Sequence, residues 1–258
     1  MLKANEISVL ITSPVYNHLC KTPWMLSLFA LMHAFDAAGI KHELRIAGDS
    51  LPARMRNNFA SMLLHSEHTH LLCLDSDLEF EAKTILRMLE ADKDIIGNAY
   101  SMRNIQWETV RDAARLGMSP EGLAEAAGAV VAHLDGPTSG KLGDPVPVRH
   151  VGLGMQLVKR MVFEQLRDAN PQLRYKLDVN EHGRGDRTYA WDFYGSIIEP
   201  ETEIYLSDDY SFCHRAKQLG IQTYMMADRT VHHGECGYIY NAEVLSQVYQ
   251  RVARKSNG

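Results

Sequence analysis

The chain has 258 residues, 45% of them hydrophobic, with 27 basic and 32 acidic residues and a net charge of −5. That is enough apolar material for one sizeable core or two small ones. The mildly acidic balance argues against a broad electrostatic grip on DNA or RNA. Cysteines 20, 73, 213 and 236 are widely spaced and form no CxxC pair. Cys73 lies in an apolar run and Cys213 in a helical one, so both read as reduced core thiols. No signal-peptide layout stands at the start, and "TPWMLSLFALMHAF" is too short to span a bilayer. The expectation is a soluble, cytoplasmic protein.

The first hundred residues alternate by type. "EISVLITSP" reads as a strand, "TPWMLSLFALMHAFDAAG" as a helix entered through Pro23 and stopped at Gly39, and "KHELRIAGD" as a strand. "LPARMRNNFASMLLHS" reads as a helix, "HTHLLCLDSD" as a strand, "EFEAKTILRMLEAD" as a helix and "KDIIGNAYS" as a strand. Such alternation predicts a mostly parallel central sheet with helices on both faces, and ligands beyond the carboxyl ends of its strands. The loops "SPVYNH", "AGDSLPARMRNN" and "DSDLE" stand at those ends.

After Ser101 the pattern changes. "NIQWETVRDAARLG" and "SPEGLAEAAGAVVAHL" read as short helices, the second capped by Ser119, and "DGPTSGKLGDPVP" as a loop. "VRHVGLGMQLVKRMVFEQLRD" reads as a strand, a glycine pair and a helix. "NEHGRGDRTYAWDFYG" has no clear period and is expected to be mobile. "YLSDDYSFCHRAKQLG" reads as a helix, "IQTYMMADRTVHHGE" as a strand running into two histidines, and "NAEVLSQVYQRVARK" as a closing helix. The chain reads as a single domain over residues 1–258, in two halves, 1–100 and 101–258.

Six clusters are candidates to carry chemistry. Asp75 and Asp77 end an apolar strand; one of them suffices as a helix cap, while two at alternate positions also offer oxygens to Mg²⁺ or Mn²⁺. Glu79, close behind, reads as the first acidic residue of the next helix region. His232 and His233 follow a late strand and offer imidazole to the same ion, whereas an HExxH zinc-protease motif is absent. Asp208 and Asp209 open a helix, either as cap and dipole partner or with one of them as a general base in a cleft. Gly152 and Gly154 permit close packing or the approach of backbone to a sugar. Leu157 fills the third place of a GxGxxG pattern, so a dinucleotide loop is excluded. Arg54, Asn57 and Asn58 lie near a helix start, with Arg54 facing either diphosphate oxygens or solvent. "HGRGDR" (His182 to Arg187) is a compact basic patch that also reads as a solvated lid.

These motifs, in this order, resemble the GT-A fold class of nucleotide-sugar glycosyltransferases, and more narrowly small single-domain members of family 2-like type from bacterial and phage genomes. The resemblance rests on "ITSPVYN", "ARMRNNFA", "THLLCLDSDLEF", "DKDIIGNAYSMRNIQW", "VGLGMQLVKRMVFEQL", "YLSDDYSFCHRAKQLG" and "VHHG". It implies a Rossmann-like α/β fold and transfer of a sugar from a UDP- or GDP-sugar to an acceptor hydroxyl, with Mn²⁺ or Mg²⁺. By it Asp77 and His232 match the metal site, with His233 the adjacent rival. Asp75 lies nearer the ribose or metal, and Ser76 is on the donor side with it. Pro14, Val15 and Tyr16 match the loop against the nucleobase, Arg54 and Asn58 fall near the donor, and Gly152 and Gly154 line the sugar. Asp209 matches the base of inverting members, with Asp208 where relatives usually carry Glu. The acceptor is left open among a glycan, a lipid-linked sugar, a protein side chain and, as in phage relatives, a hydroxylated DNA base. Two rivals stand beside this reading. A nucleotidyltransferase making nucleotide sugars calls for a glycine-rich basic loop that "SPVYNH" lacks, and a non-catalytic nucleotide- or carbohydrate-binding module needs none of the carboxylates.

Overall fold

A computed structural model of the chain describes residues 6–130, 133–134, 143–178, 187–233 and 237–256. Strand β1 (Ser8–Val15) feeds helix α1 (Thr22–Ala38), which starts at Pro23 and ends at Gly39 in the left-handed region, φ 71°. Then come β2 (Lys41–Gly48), α2 (Pro52–Leu64), β3 (His70–Leu74), β4 (Leu78–Glu79), α3 (Ala82–Glu90) and β5 (Ile95–Asn98). The middle of the chain holds β6 (Ser101–Ile105), α4 (Trp107–Arg115), α5 (Pro120–Ala126), β7 (Gly128–Val130), β8 (His133–Leu134), β9 (Val146–His150), β10 (Met155–Lys159) and α6 (Arg160–Ala169). The last third holds β11 (Arg174–Lys176), β12 (Tyr189–Trp191), β13 (Ile197–Ile198), β14 (Tyr205–Leu206) and α7 (Asp208–Gln218). It closes with β15 (Thr223–Met226), β16 (Thr230–His233), β17 (Gly237–Tyr240) and α8 (Ala242–Ser256).

The central sheet runs β2-β1-β3-β10-β5-β15-β9-β8. β1 is parallel to β2 and β3, and β15 is parallel to β5. β10 lies antiparallel between β3 and β5, and β9 is antiparallel to β15 and β8. The sheet is therefore mixed, which corrects the mostly parallel expectation. The cause is local: "VRHVGLGMQLV" is two strands, β9 and β10, joined through Val151–Gly154, and both run against β5 and β15. An apolar run carries no information on strand direction.

Helices do cover both faces, because each central strand alternates its burial between two cores. Val9, Ile11, Leu72, Leu74, Ile96 and Leu157 face Trp24, Leu28 and Phe35 of α1 and Ile85 and Met88 of α3. Leu10, Leu71, Cys73, Ile95 and Val158 face Met55 and Phe59 of α2, Phe163 of α6 and Phe212 of α7. Phe193 and Tyr194, in the stretch expected to be mobile, are fully buried and pack on Phe163. Residues 182–186 of the basic patch lie outside the described residues. Its last member, Arg187, is buried and donates to the backbone oxygen of Asn58 at 2.8 Å, so Arg187 itself is not solvated.

Three further elements differ from the sequence reading. Residues 119–134 were expected to be one helix, yet among the described residues of that stretch only Pro120–Ala126 is helical, with Ser119 Oγ accepting from Gly122 N at 3.3 Å. Beyond it Gly128 lies so close to the Ile239 carbonyl of β17 that a side chain cannot fit. The stretch "IQTYMMADRTVHH" splits into β15 of the central sheet and β16 of a separate three-stranded sheet, β17-β16-β4. Glu79 belongs to β4 rather than to the start of α3. Cys73 and Cys213 are buried free thiols whose pKa burial raises to about 11 and about 12. Among the described residues, no helix is long and apolar enough to cross a membrane.

Candidate functional site

The polar residues gather at the carboxyl ends of β3, β5 and β15, where the β9–β10 turn crosses. β3 stops at Leu74, and Asp75 N donates to Gly154 O at 2.9 Å. The Asp75 carbonyl then accepts from Leu78 N at 3.2 Å, closing a turn around Ser76 and Asp77. Ser76 contributes its carbonyl, which accepts from Lys21 N at 2.9 Å. The turn delivers β4 against β16 with His232 opposite Leu78, and His233 N donates to Asp77 O at 2.7 Å. Backbone bonds thereby hold a dipeptide from late in the chain beside a turn about 155 residues earlier. Neither aspartate caps a helix, since α3 begins only at Ala82.

The two aspartates face different partners. Asp75 Oδ1 accepts from Arg56 Nη2 at 2.9 Å, while Arg56 Nη1 donates to Asp208 Oδ2 at 2.6 Å. One buried guanidinium thus joins the end of β3 to the first turn of α7. Burial lowers the Arg56 pKa, but Asp75 and Asp208 more than offset it, so the group is held above its ordinary value. Asp77 Oδ2 accepts from Arg103 Nη2 and lies 3.3 Å from His232 Nε2. Burial raises the Asp77 carboxyl, and His232 and Arg103 pull it down further, to a net value below the usual carboxylate range.

His232 has a defined orientation. Its Nδ1–H donates to Ser101 O at 2.7 Å, which leaves the Nε2 lone pair toward Asp77 and within 3.1 Å of Arg103 Nε. Burial lowers the imidazole pKa, but Asp77 and the Ser101 carbonyl together raise it above its ordinary value. A proton or another cation at Nε2 answers that demand, and Arg103 supplies one. His233, the adjacent rival, instead sits with Nε2 2.6 Å from Glu79 Oε2. Of the two histidines, His232 is the one beside Asp77.

Asp209 lies in the first turn of α7, its Oδ1 accepting from Ser207 Oγ and from Tyr210 N at 2.9 Å. Ser207 occupies the N-cap position without capping through its side chain. Burial raises the Asp209 pKa, and neighbouring Asp208 adds to the rise against the opposing hydrogen bonds, leaving it above the usual range. Asp209, His232, Arg103, Tyr100 and Gly152 line one cleft of about 360 Å³. A half-buried carboxylate with raised proton affinity therefore shares a small concavity with the imidazole of the Asp77–His232 pair.

Of the remaining predicted residues, Gly152 lines this cleft and the others do not. Val15 is buried at the end of β1, and Tyr16, two residues beyond Pro14, is exposed with its carbonyl accepting from Leu19 N at 3.0 Å. Arg54 donates to Asp49 Oδ2 and Oδ1 at 2.7 and 2.6 Å. Asn58 is fully buried and receives Arg187. Asn57 Nδ2 donates to Asp192 Oδ1 at 2.7 Å. Gly152 and Gly154 carry the Tyr100 ring: Gly154 N donates to Tyr100 Oη at 3.1 Å, and a Cβ at Gly154 falls 2.7 Å from Tyr100 Cζ. Gly154→Ala is expected to cost about 1–3 kcal/mol by forcing that ring aside. An unchanged denaturation midpoint would contradict this packing.

Sequence reasoning missed Arg56, Tyr100 and Arg103. Arg56 had a signal: it opens the i, i+3, i+4, i+7 series with Phe59, Ala60 and Leu63, the stripe that α2 buries. An arginine within an apolar stripe needs buried carboxylates. Tyr100 and Arg103 had none, since their roles arise only when β6 comes to lie beside β16.

The donor set fits a hard divalent cation that brings most of its own coordination shell. Asp77 provides a carboxylate oxygen, and His232 an oriented lone pair. Among the described residues, no cluster of three or more His, Cys, Asp or Glu side chains surrounds a common point. A cation of the Mg²⁺ or Mn²⁺ type would find two protein donors here and would have to complete its shell from elsewhere. Asp75 and His233, the other two residues expected at such an ion, face Arg56 and Glu79.

No family model matches the chain, and no curated protein matches it in sequence. Among solved structures, 122 chains match. One is the crystal structure of A197 from STIV, at 14% identity and a TM-score of 0.45, with 88% of this chain and 85% of that one covered.

Proposed function

We propose that the cleft transfers a sugar from a nucleoside-diphosphate sugar to an acceptor hydroxyl. The observation that carries this reading is that Arg103, His232 and Asp209 line one cleft at the carboxyl ends of the central strands, with Asp77 paired to Arg103 and His232 beside it. Glycosyl transfer needs two things at such a place: positive charge where a diphosphate leaves, and a base where a hydroxyl attacks.

Asp209 takes the proton from the acceptor oxygen as the oxygen forms its bond to the anomeric carbon. Its raised proton affinity suits it to that task better than a solvated carboxylate. This use of Asp209 makes the reaction inverting. Arg56 fixes Asp75 and Asp208 so that the donor side and the start of α7 keep one spacing. Asp77 and His232 are the residues that would hold Mn²⁺ or Mg²⁺. Bound there, the ion supplies neutralisation of the charge collecting on the leaving diphosphate. Residues 1–100 would carry the nucleotide, with Pro14, Val15, Tyr16 and Ser76 on its side of the cleft, and residues 101–258 the sugar and acceptor.

The experiment is a thermal-shift series with UDP, GDP, ADP and CMP, each with and without Mn²⁺. At 100 times the dissociation constant a bound ligand adds about 2.7 kcal/mol of stability. One nucleoside diphosphate is expected to raise the melting temperature in the parent and to do so less in Asp77→Asn. Stabilisation by none of them overturns the reading. Release of pyrophosphate from a nucleoside triphosphate and a sugar phosphate would instead favour the nucleotidyltransferase.

A further inference from the structure

We infer that Arg103 is a built-in competitor for the cation position between Asp77 and His232, so that this chain takes up a divalent metal together with a diphosphate rather than alone. The inference rests on the nucleotide-sugar reading of the same site. It adds a residue that the sequence motifs leave out.

The geometry is specific. Arg103 Nη2 donates to Asp77 Oδ2, and Arg103 Nε donates to His232 Nε2 at 3.1 Å. These are the oxygen and the lone pair that a cation would use, and they lie 3.3 Å apart. Ser101 O fixes the His232 ring from behind at 2.7 Å, so Nε2 cannot turn away to accept a metal elsewhere. A metal and the guanidinium therefore exclude one another at this pair. Metal entry has to break a charge-assisted bond to carboxylate and a second bond to imidazole.

What happens to the displaced arginine follows from its position. It stands on β6, two residues past Ser101, and its side chain is 58% exposed while Asp77 is at 16%. It also lines the 360 Å³ cleft. The side chain is thus anchored at its head and open along its stem, able to leave Asp77 without unpacking a core. In the absence of an anion, leaving costs the ion pair with nothing gained. With a diphosphate in the cleft, the guanidinium exchanges one anionic oxygen for another, and the metal gains phosphate ligands as well. The two ligands then bind with positive coupling.

The test is Mn²⁺ binding followed by the loss of free-ion electron paramagnetic resonance signal, using the parent, Arg103→Met and Arg103→Met with Asp77→Asn. Methionine keeps the stem and removes the charge. The expected result is Mn²⁺ binding at least tenfold tighter in Arg103→Met than in the parent, abolished in the double variant. Tenfold corresponds to about 1.4 kcal/mol, the lower range for a hydrogen bond to a charged group. Adding the nucleoside diphosphate that stabilises the parent is expected to tighten Mn²⁺ binding more in the parent than in Arg103→Met. Equal or weaker Mn²⁺ binding by Arg103→Met overturns the competition while leaving nucleotide binding intact. Absence of any nucleotide response, by contrast, defeats the functional reading, and the metal comparison between parent and Arg103→Met still decides the role of Arg103. Circular dichroism on each variant verifies the fold.

Discussion

Asp209→Asn is expected to lower turnover about 100- to 10,000-fold, the range in which a positioned general base contributes, with donor binding unchanged. The change keeps the shape and the acceptor oxygen that Ser207 Oγ and Tyr210 N address. It removes only the ability to take a proton. Burial holds Asp209 above the usual carboxylate range, so the parent's kcat/KM should rise with pH through a limb displaced upward from that range. The variant's residual rate should lack the limb.

The same substitution has an opposite effect on stability. Because the folded state raises the Asp209 pKa, it keeps the proton to a higher pH than the unfolded chain does. The folded state therefore binds more protons in that window, and stability falls as pH climbs through it. Above the raised pKa the parent carries the full cost of a buried charge, which asparagine does not. Asp209→Asn should accordingly melt higher than the parent at neutral pH and converge with it in acid. A variant both slow and less stable at neutral pH would point to a merely structural carboxylate.

The largest loss of stability is expected at Arg56. Arg56→Met should cost about 3–5 kcal/mol, the range for removing one partner of a buried ion pair, read as a shift in urea midpoint. Asp75 and Asp208 are about a quarter exposed, which places the expectation at the lower end. Arg56 itself is 8% exposed and serves both carboxylates from one guanidinium. Without it two negative groups face each other with no cation between them. Lysine should recover only part of the loss, because a single ammonium cannot present two N–H forks. A deficit under about 0.5 kcal/mol, the ordinary scale of surface substitutions, would mean that water already serves both aspartates.

How much of this was legible beforehand depends on the kind of signal. Helix α1 was bounded by Pro23 and Gly39, whose backbone chemistry is local, and both ends stand where that chemistry puts them. Asp75, Asp77 and the pair at 232 and 233 were visible as polar residues interrupting apolar strands. The direction of β10 was not visible, since its pairing with β3 and β5 depends on where the chain turns at Gly152 and Gly154. Nor was the division of labour between neighbours. His232 and His233 point to opposite sides of β16 because successive strand residues alternate, and only the partner strand decides which side holds Asp77. On α2, Arg54 and Arg56 differ by two positions, about 200° around the helix. One therefore meets Asp49 at the surface, and the other goes beneath the sheet ends to Asp75 and Asp208.

The central claim is that this cleft breaks the bond between a sugar and a nucleoside diphosphate. The most direct measurement is release of nucleoside diphosphate from a panel of UDP-, GDP-, ADP- and dTDP-sugars in Mn²⁺, without acceptor, by the parent and by Asp77→Asn. The account predicts slow hydrolysis of at least one donor by the parent and at least tenfold less by the variant. Intact donors throughout, or equal release by both proteins, would contradict it.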